Sequence, residues 1–164
     1  MKKILHWKRG TFSRTGMILD NDNPIGKLKE NTWTQSATGE INGKKYHFKT
    51  KGFLRQKTQI TDQESKDFVG SINYNTWMTK AKIEFQNTVL HWKYTNTWQT
   101  QWSMFLDDKE LIKYRGSATK GNIEYDETED LYILTGLFVT NYFWQISLAV
   151  IIAVLIPVWL TVIR

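Results

Sequence analysis

The sequence predicts a mainly β fold, a closed antiparallel barrel of about twelve strands followed by one hydrophobic C-terminal helix. Three observations lead there. Short runs alternate between apolar or aromatic and polar residues, as in "KYHFKT", "DFVGSINY" and "TVLHWKYT". A segment recurs at an offset of 44 residues. From Leu131 to Ile163 no residue is charged.

The chain has 164 residues, enough for one domain, or for one domain and a membrane segment. Aromatics make up 14%, with eight Trp, which favours strands because rings pack well on a pleated surface. There is no Cys, so disulfides, thiolate metal sites and cysteine nucleophiles are excluded. The opening "MKKILHWKRG" has only a two-residue apolar run before His6. A signal peptide needs about 7–15 such residues, so the expected location is a cytoplasmic body, membrane-associated or anchored through the C-terminal segment.

The recurring segment sets the strand count. "IGKLKENTWTQSA" at Ile25–Ala37 matches "VGSINYNTWMTKA" at Val69–Ala81, with Gly26, Asn31, Trp33 and Ala37 opposite Gly70, Asn75, Trp77 and Ala81. "HFK" at His47–Lys49 falls opposite "HWK" at His91–Lys93, and a further "HWK" stands at His6–Lys8. Turn signals follow, "MILDND", "TQITDQ" and "MFLDDK". Each period holds about four strand-like runs, so three periods give about twelve strands. "INGKKYHF" reads as a hairpin with Asn42-Gly43 at its tip. The boundary is set at 137/138, an internally repeated β domain and then a helix, because no helical periodicity shows before Phe138.

Two architectures fit. A twelve-stranded barrel is too wide for its own side chains to fill, and a helix that is apolar all round would plug it. A β-trefoil fills its own centre and would leave the last segment free to cross a bilayer. Both hosts stay open on residues alone. Tyr142, Phe143 and Trp144 at one end and Trp159 at the other look like aromatic belts, yet the preceding "DETED" reverses the usual basic flank. Asn141 and Gln145 share a helix face and need polar partners in either host. Pro157 predicts that the helix ends near Ile156.

The twelve strands, the "D…G.L…" strand pattern and the "LYILTGLFV" junction together resemble the tubby-like barrel superfamily. That superfamily includes tubby C-terminal domains, LURP-one-related proteins and phospholipid scramblases. The resemblance implies a barrel threaded by its terminal helix and a non-enzymatic, membrane-linked role. The Asn-Thr-Trp repeat lies outside that pattern.

Net charge is +6, uneven along the chain: +9 over residues 1–57 and −4 over residues 58–130. A basic first third attracts anionic lipid, or simply keeps a face solvated. "HFKTKGFLRQK" brings Lys49, Lys51, Arg55 and Lys57 together around a turn at Gly52, and these four are the candidate lipid-phosphate residues. Strand alternation turns Phe48 away from Lys49, so the aromatic platform that nucleic acid would need is missing from that face. His6, His47 and His91 occupy matching positions and would converge on a metal only if all three pointed inward; a repeated packing position is the plainer reading. Asp20/Asp22, Asp62/Glu64 and Asp107/Asp108 read as turn residues before calcium ligands. No phosphate loop, catalytic triad spacing or zinc-protease pattern is present. The expectation is a membrane-associated lipid-binding or scaffold module without catalysis, cofactor, metal or nucleic acid, with anionic membrane lipid as the partner. The alternative is a soluble interaction protein whose helix is fully buried and which has no ligand.

Overall fold

The computed structural model describes residues 1–11, 13–31, 34, 36–52 and 56–162, with backbone alone at 154 and 157–162. Twelve strands precede one helix. They are β1 (Lys3–Arg9), β2 (Thr15–Asp20), β3 (Asn23–Asn31), β4 (Ser36–Ile41), β5 (Lys44–Lys51), β6 (Lys57–Asp62), β7 (Phe68–Tyr74), β8 (Lys80–Phe85), β9 (Val89–Tyr94), β10 (Gln101–Leu106), β11 (Lys109–Gly116) and β12 (Lys120–Tyr125). The helix, α1, runs Asp130–Val162. Each strand pairs antiparallel with its sequence neighbours, and β1 closes the ring on β12 with Leu5 opposite Ile123. This single meander excludes the trefoil. Its odd-numbered strands all run one way, so the loops after β1, β3, β5, β7, β9 and β11 gather at one end, here the rim. The remaining turns and Met1 gather at the foot.

Alternation forms the strands as expected. Along β9, Leu90 and Trp92 are fully buried while Val89, His91 and Lys93 face out. The Asn42-Gly43 tip has φ of 47° and 82°, the double positive φ of a type I′ turn, which suits the twist of the flanking strands. Register shifts fall at matching places, Ile18/Leu19 in β2, Ile60/Thr61 in β6 and Met104/Phe105 in β10. Each bends its strand and tightens the local twist.

The lumen is filled by α1. It enters at the foot, where the Asn42 side-chain amide donates to Asp130 at 2.8 Å. Residues 131–143 are buried without exception. The His-aromatic-Lys triplets of β1, β5 and β9 turn one ring each onto the helix. Trp7 meets Trp144 at 6.3 Å, Phe48 stacks on Phe138 at 4.5 Å, and Trp92 meets Phe143 edge-on at 5.1 Å. Two buried donors hold the helix backbone: Tyr114 Oη reaches the Ile133 carbonyl at 3.0 Å, and Trp92 Nε1 the Gly136 carbonyl at 3.2 Å.

Three expectations are corrected. The helix begins at Asp130, eight residues before Phe138. "LYILTGLFV" is helical throughout, because a helix buried on every side shows no amphipathic period to read. It runs through Pro157 to Val162, since proline removes one intrahelical hydrogen bond without having to end a helix. Tyr142 and Phe143 are core residues, not an interfacial belt. The fully buried helix of the soluble alternative is also excluded. Beyond Ile146 the helix leaves the barrel, with Leu148 59%, Val150 57%, Ile152 56% and Ile156 54% exposed.

Candidate functional site

The rim, where α1 leaves the barrel, concentrates the polar chemistry. Glu30, the last residue but one of β3, faces inward and is 8% exposed. Its carboxylate accepts from Arg9 Nη1 at 3.4 Å and from the Gln145 side-chain amide. Asn141, one helical turn before Gln145, lies beside it. These are the partners that the two amides on the apolar helix required. Burial pushes the Glu30 carboxyl above its ordinary value, and the Arg9 guanidinium and the two amides pull it back in part. The native state therefore keeps the Glu30 proton to higher pH than the unfolded chain does, and its contribution to stability falls as pH rises through the folded pKa. Glu30→Gln removes that loss. Whatever offset the remaining Arg9 charge adds, the stability difference between variant and wild type should move in the variant's favour from pH 4 to pH 7. Denaturant melts at the two pH values check this, and movement the other way would contradict the burial assignment.

The sequence-predicted basic hairpin is also at the rim. Lys49 and Lys51 are exposed on the outer face of β5 and Lys57 on β6, with Lys51 directly opposite Lys57. Gly52 carries the turn's positive φ of 99°. Arg55 lies outside the described residues, as does Phe53. Phe48 faces the lumen and is fully buried, so among the described residues of this hairpin no ring shares the lysine face.

The three histidines do not converge. His6, His47 and His91 lie on β1, β5 and β9, four strands apart, and their neighbours' inward rings set their own side chains outward. They diverge round the barrel; His6 Nδ1 instead lies 2.9 Å from Asn122 Oδ1. The acidic residues mark turns at the foot. Asp62 Oδ1 accepts from the backbone N–H groups of Glu64 at 2.8 Å and Ser65 at 3.1 Å, and Asp22 and Asp107 hold positive φ.

Sequence reasoning missed how charge divides along the barrel axis. The meander interleaves the two ends, so reading by thirds of the chain mixes them. Asp20, Asp22, Glu64, Asp67, Asp107, Asp108 and Asp126–Asp130 all sit at or beside the foot. At the rim Glu30 is the one acidic side chain among the described residues, and it is paired with Arg9. A third Asn-Thr-Trp element also went unread, because Asn96-Thr97-Trp98 follows Asn75-Thr76-Trp77 by 21 residues instead of 44. Trp77 and Trp98 are 83% and 85% exposed.

By length and composition α1 is able to cross a bilayer, though 44% of its most apolar stretch is inside the barrel. No protein-family model matches the chain, and no curated protein matches it significantly.

Proposed function

We propose that this protein is a non-enzymatic membrane module of the tubby-like type, a cytoplasmic barrel held at a bilayer by the far half of its own core helix. The observation that carries the reading is the apolar surface of α1 outside the barrel. Leu148, Val150, Ile151, Ile152, Leu155 and Ile156 are each about half exposed or more, on all sides of the helix. A helical stretch from Ile146 to Val162 measures about 25 Å at 1.5 Å per residue, close to the ~30 Å hydrocarbon core. Exposed apolar surface of this extent on a soluble domain calls for an apolar host. The threaded barrel supports the family likeness, and the outward Lys49, Lys51 and Lys57 support contact with lipid phosphate.

Flotation with neutral phosphatidylcholine vesicles tests the anchor. The full chain should float and resist extraction by high salt, whereas a chain ending at Ser147 should stay in the aqueous fraction. A full chain that remains in solution without detergent would refute the reading.

A further inference from the structure

Cross-strand register places opposite charges face to face in the foot half of the barrel, as with Lys27 and Glu40, Glu40 and Lys45, and Lys113 and Glu124. At the rim the rule reverses. Lysine lies directly opposite lysine in three pairs spread round the ring: Lys8 with Lys120, Lys51 with Lys57, and Lys80 with Lys93. All six are exposed. None forms a salt bridge among the described residues; the Lys93 ammonium instead lies 4.4 Å from the Phe105 ring centroid. Directly opposed like charges destabilise a sheet, and a layer of negative charge against the rim removes that penalty.

Two neighbouring rim loops add an apolar element by the same construction. Asn75 Oδ1 accepts from the backbone N–H groups of Thr79 and Lys80, both at 2.8 Å, and Asn96 Oδ1 from those of Thr100 and Gln101, both at 3.0 Å. Each asparagine also donates to the threonine hydroxyl four residues on, and Met78 and Gln99 close the loops at φ of 53° and 55°. Each loop holds one tryptophan out from the barrel end through which the apolar helix leaves. Tryptophan is favoured at the water–lipid boundary.

Placement explains the acidic flank too. Because residues 131–143 lie inside the barrel, "DETED" is at the foot, and what borders the emerging helix is the basic rim. Resting on the anchoring reading above, we infer that the rim is the seat of the barrel on an anionic lipid surface. The lysine pairs contact headgroup phosphates, and Trp77 and Trp98 lie at the boundary of the acyl chains. Charge complementarity and continuity with the projecting helix single out a lipid surface as the occupant.

The chain has no cysteine, so single sites accept an environment-sensitive fluorophore in the full-length protein: Thr97→Cys at the rim and Asp108→Cys at the foot. With vesicles of phosphatidylcholine and phosphatidylserine, the label at 97 should shift to the blue and be quenched by brominated acyl chains, and the label at 108 should stay aqueous. Neutralising one lysine of each pair (Lys8→Gln, Lys51→Gln, Lys80→Gln) should lower the preference for anionic over neutral vesicles by on the order of 100-fold, about 5-fold per charge. Relief of repulsion should leave that variant's melt unchanged or raise it, so a folded variant reports on lipid. Flotation with the label at 97 still aqueous in both lipids overturns the seat while the anchor stands. No flotation removes the anchor and the seat together. An unchanged lipid preference in the triple variant overturns the electrostatic contact, and burial of the label at 97 without vesicles assigns the rim to contact between copies.

Discussion

A chain that stops at Ser147 should fold and remain soluble without detergent, and one that stops at Leu137 should do neither. The shorter chain loses Phe138, Val139, Tyr142 and Phe143, all 5% exposed or less. At ~1.5–3 kcal/mol per buried apolar side chain, four such residues are worth roughly 6–12 kcal/mol, comparable with the whole ~5–15 kcal/mol net stability of a domain. It also forfeits the Gln145 and Asn141 partners of Glu30, leaving a buried carboxylate with Arg9 alone. The longer chain keeps each of these and sheds Leu148, Val150, Ile151, Ile152, Leu155 and Ile156, each about half exposed or more. Circular dichroism and a denaturant melt compare the two. A cooperative melt from the chain ending at Leu137 would show that the lumen closes without its helix.

Trp92→Ala should produce the largest loss among single substitutions. The ring is fully buried, edge-on to Tyr94 at 4.8 Å and to Phe143 at 5.1 Å. Truncating a buried aromatic costs ~3–5 kcal/mol. The Gly136 carbonyl it leaves keeps the Thr140 hydroxyl at 2.9 Å, so the lost hydrogen bond adds little. A cycle with Phe143→Ala should show ~0.5–1.5 kcal/mol of coupling beyond buried area. Additive losses in that cycle would mean that the strand ring and the helix ring do not support one another.

What was readable in the chain depended on how local its cause was. Strands such as β5 and β9 show their period because one face is lined with rings and the other with lysines. Asn42-Gly43 is readable because both positions need positive φ. The start of α1 was hidden: Leu131–Phe138 are apolar on every side and rich in residues that strands also favour. Glu30 was hidden because its helix partners lie more than 100 positions away and Arg9 lies 21 away on another strand, though Asn141 and Gln145 on an apolar helix announced that some inward polar group must exist. The rim's charge was invisible for a topological reason. Lys8, Lys51, Lys80 and Lys120 belong to one surface only once alternate turns are sorted to alternate ends.

The closed seam between β1 and β12 gives the molecule a mechanical character. Residues 126–129 separate the end of β12 from the start of α1, so the helix cannot slide far through the ring without drawing that strand after it. Tension on the far end of α1 therefore reaches the ladder joining Lys3–Lys8 to Lys120–Tyr125. Withdrawal requires those bonds to break together with the contacts of thirteen buried residues. The barrel acts as the head of a bolt: it fixes how far the shaft can travel, and it transmits a pull at the shaft to the last strand and to the two ladders that hold it, one of them the seam with the first strand.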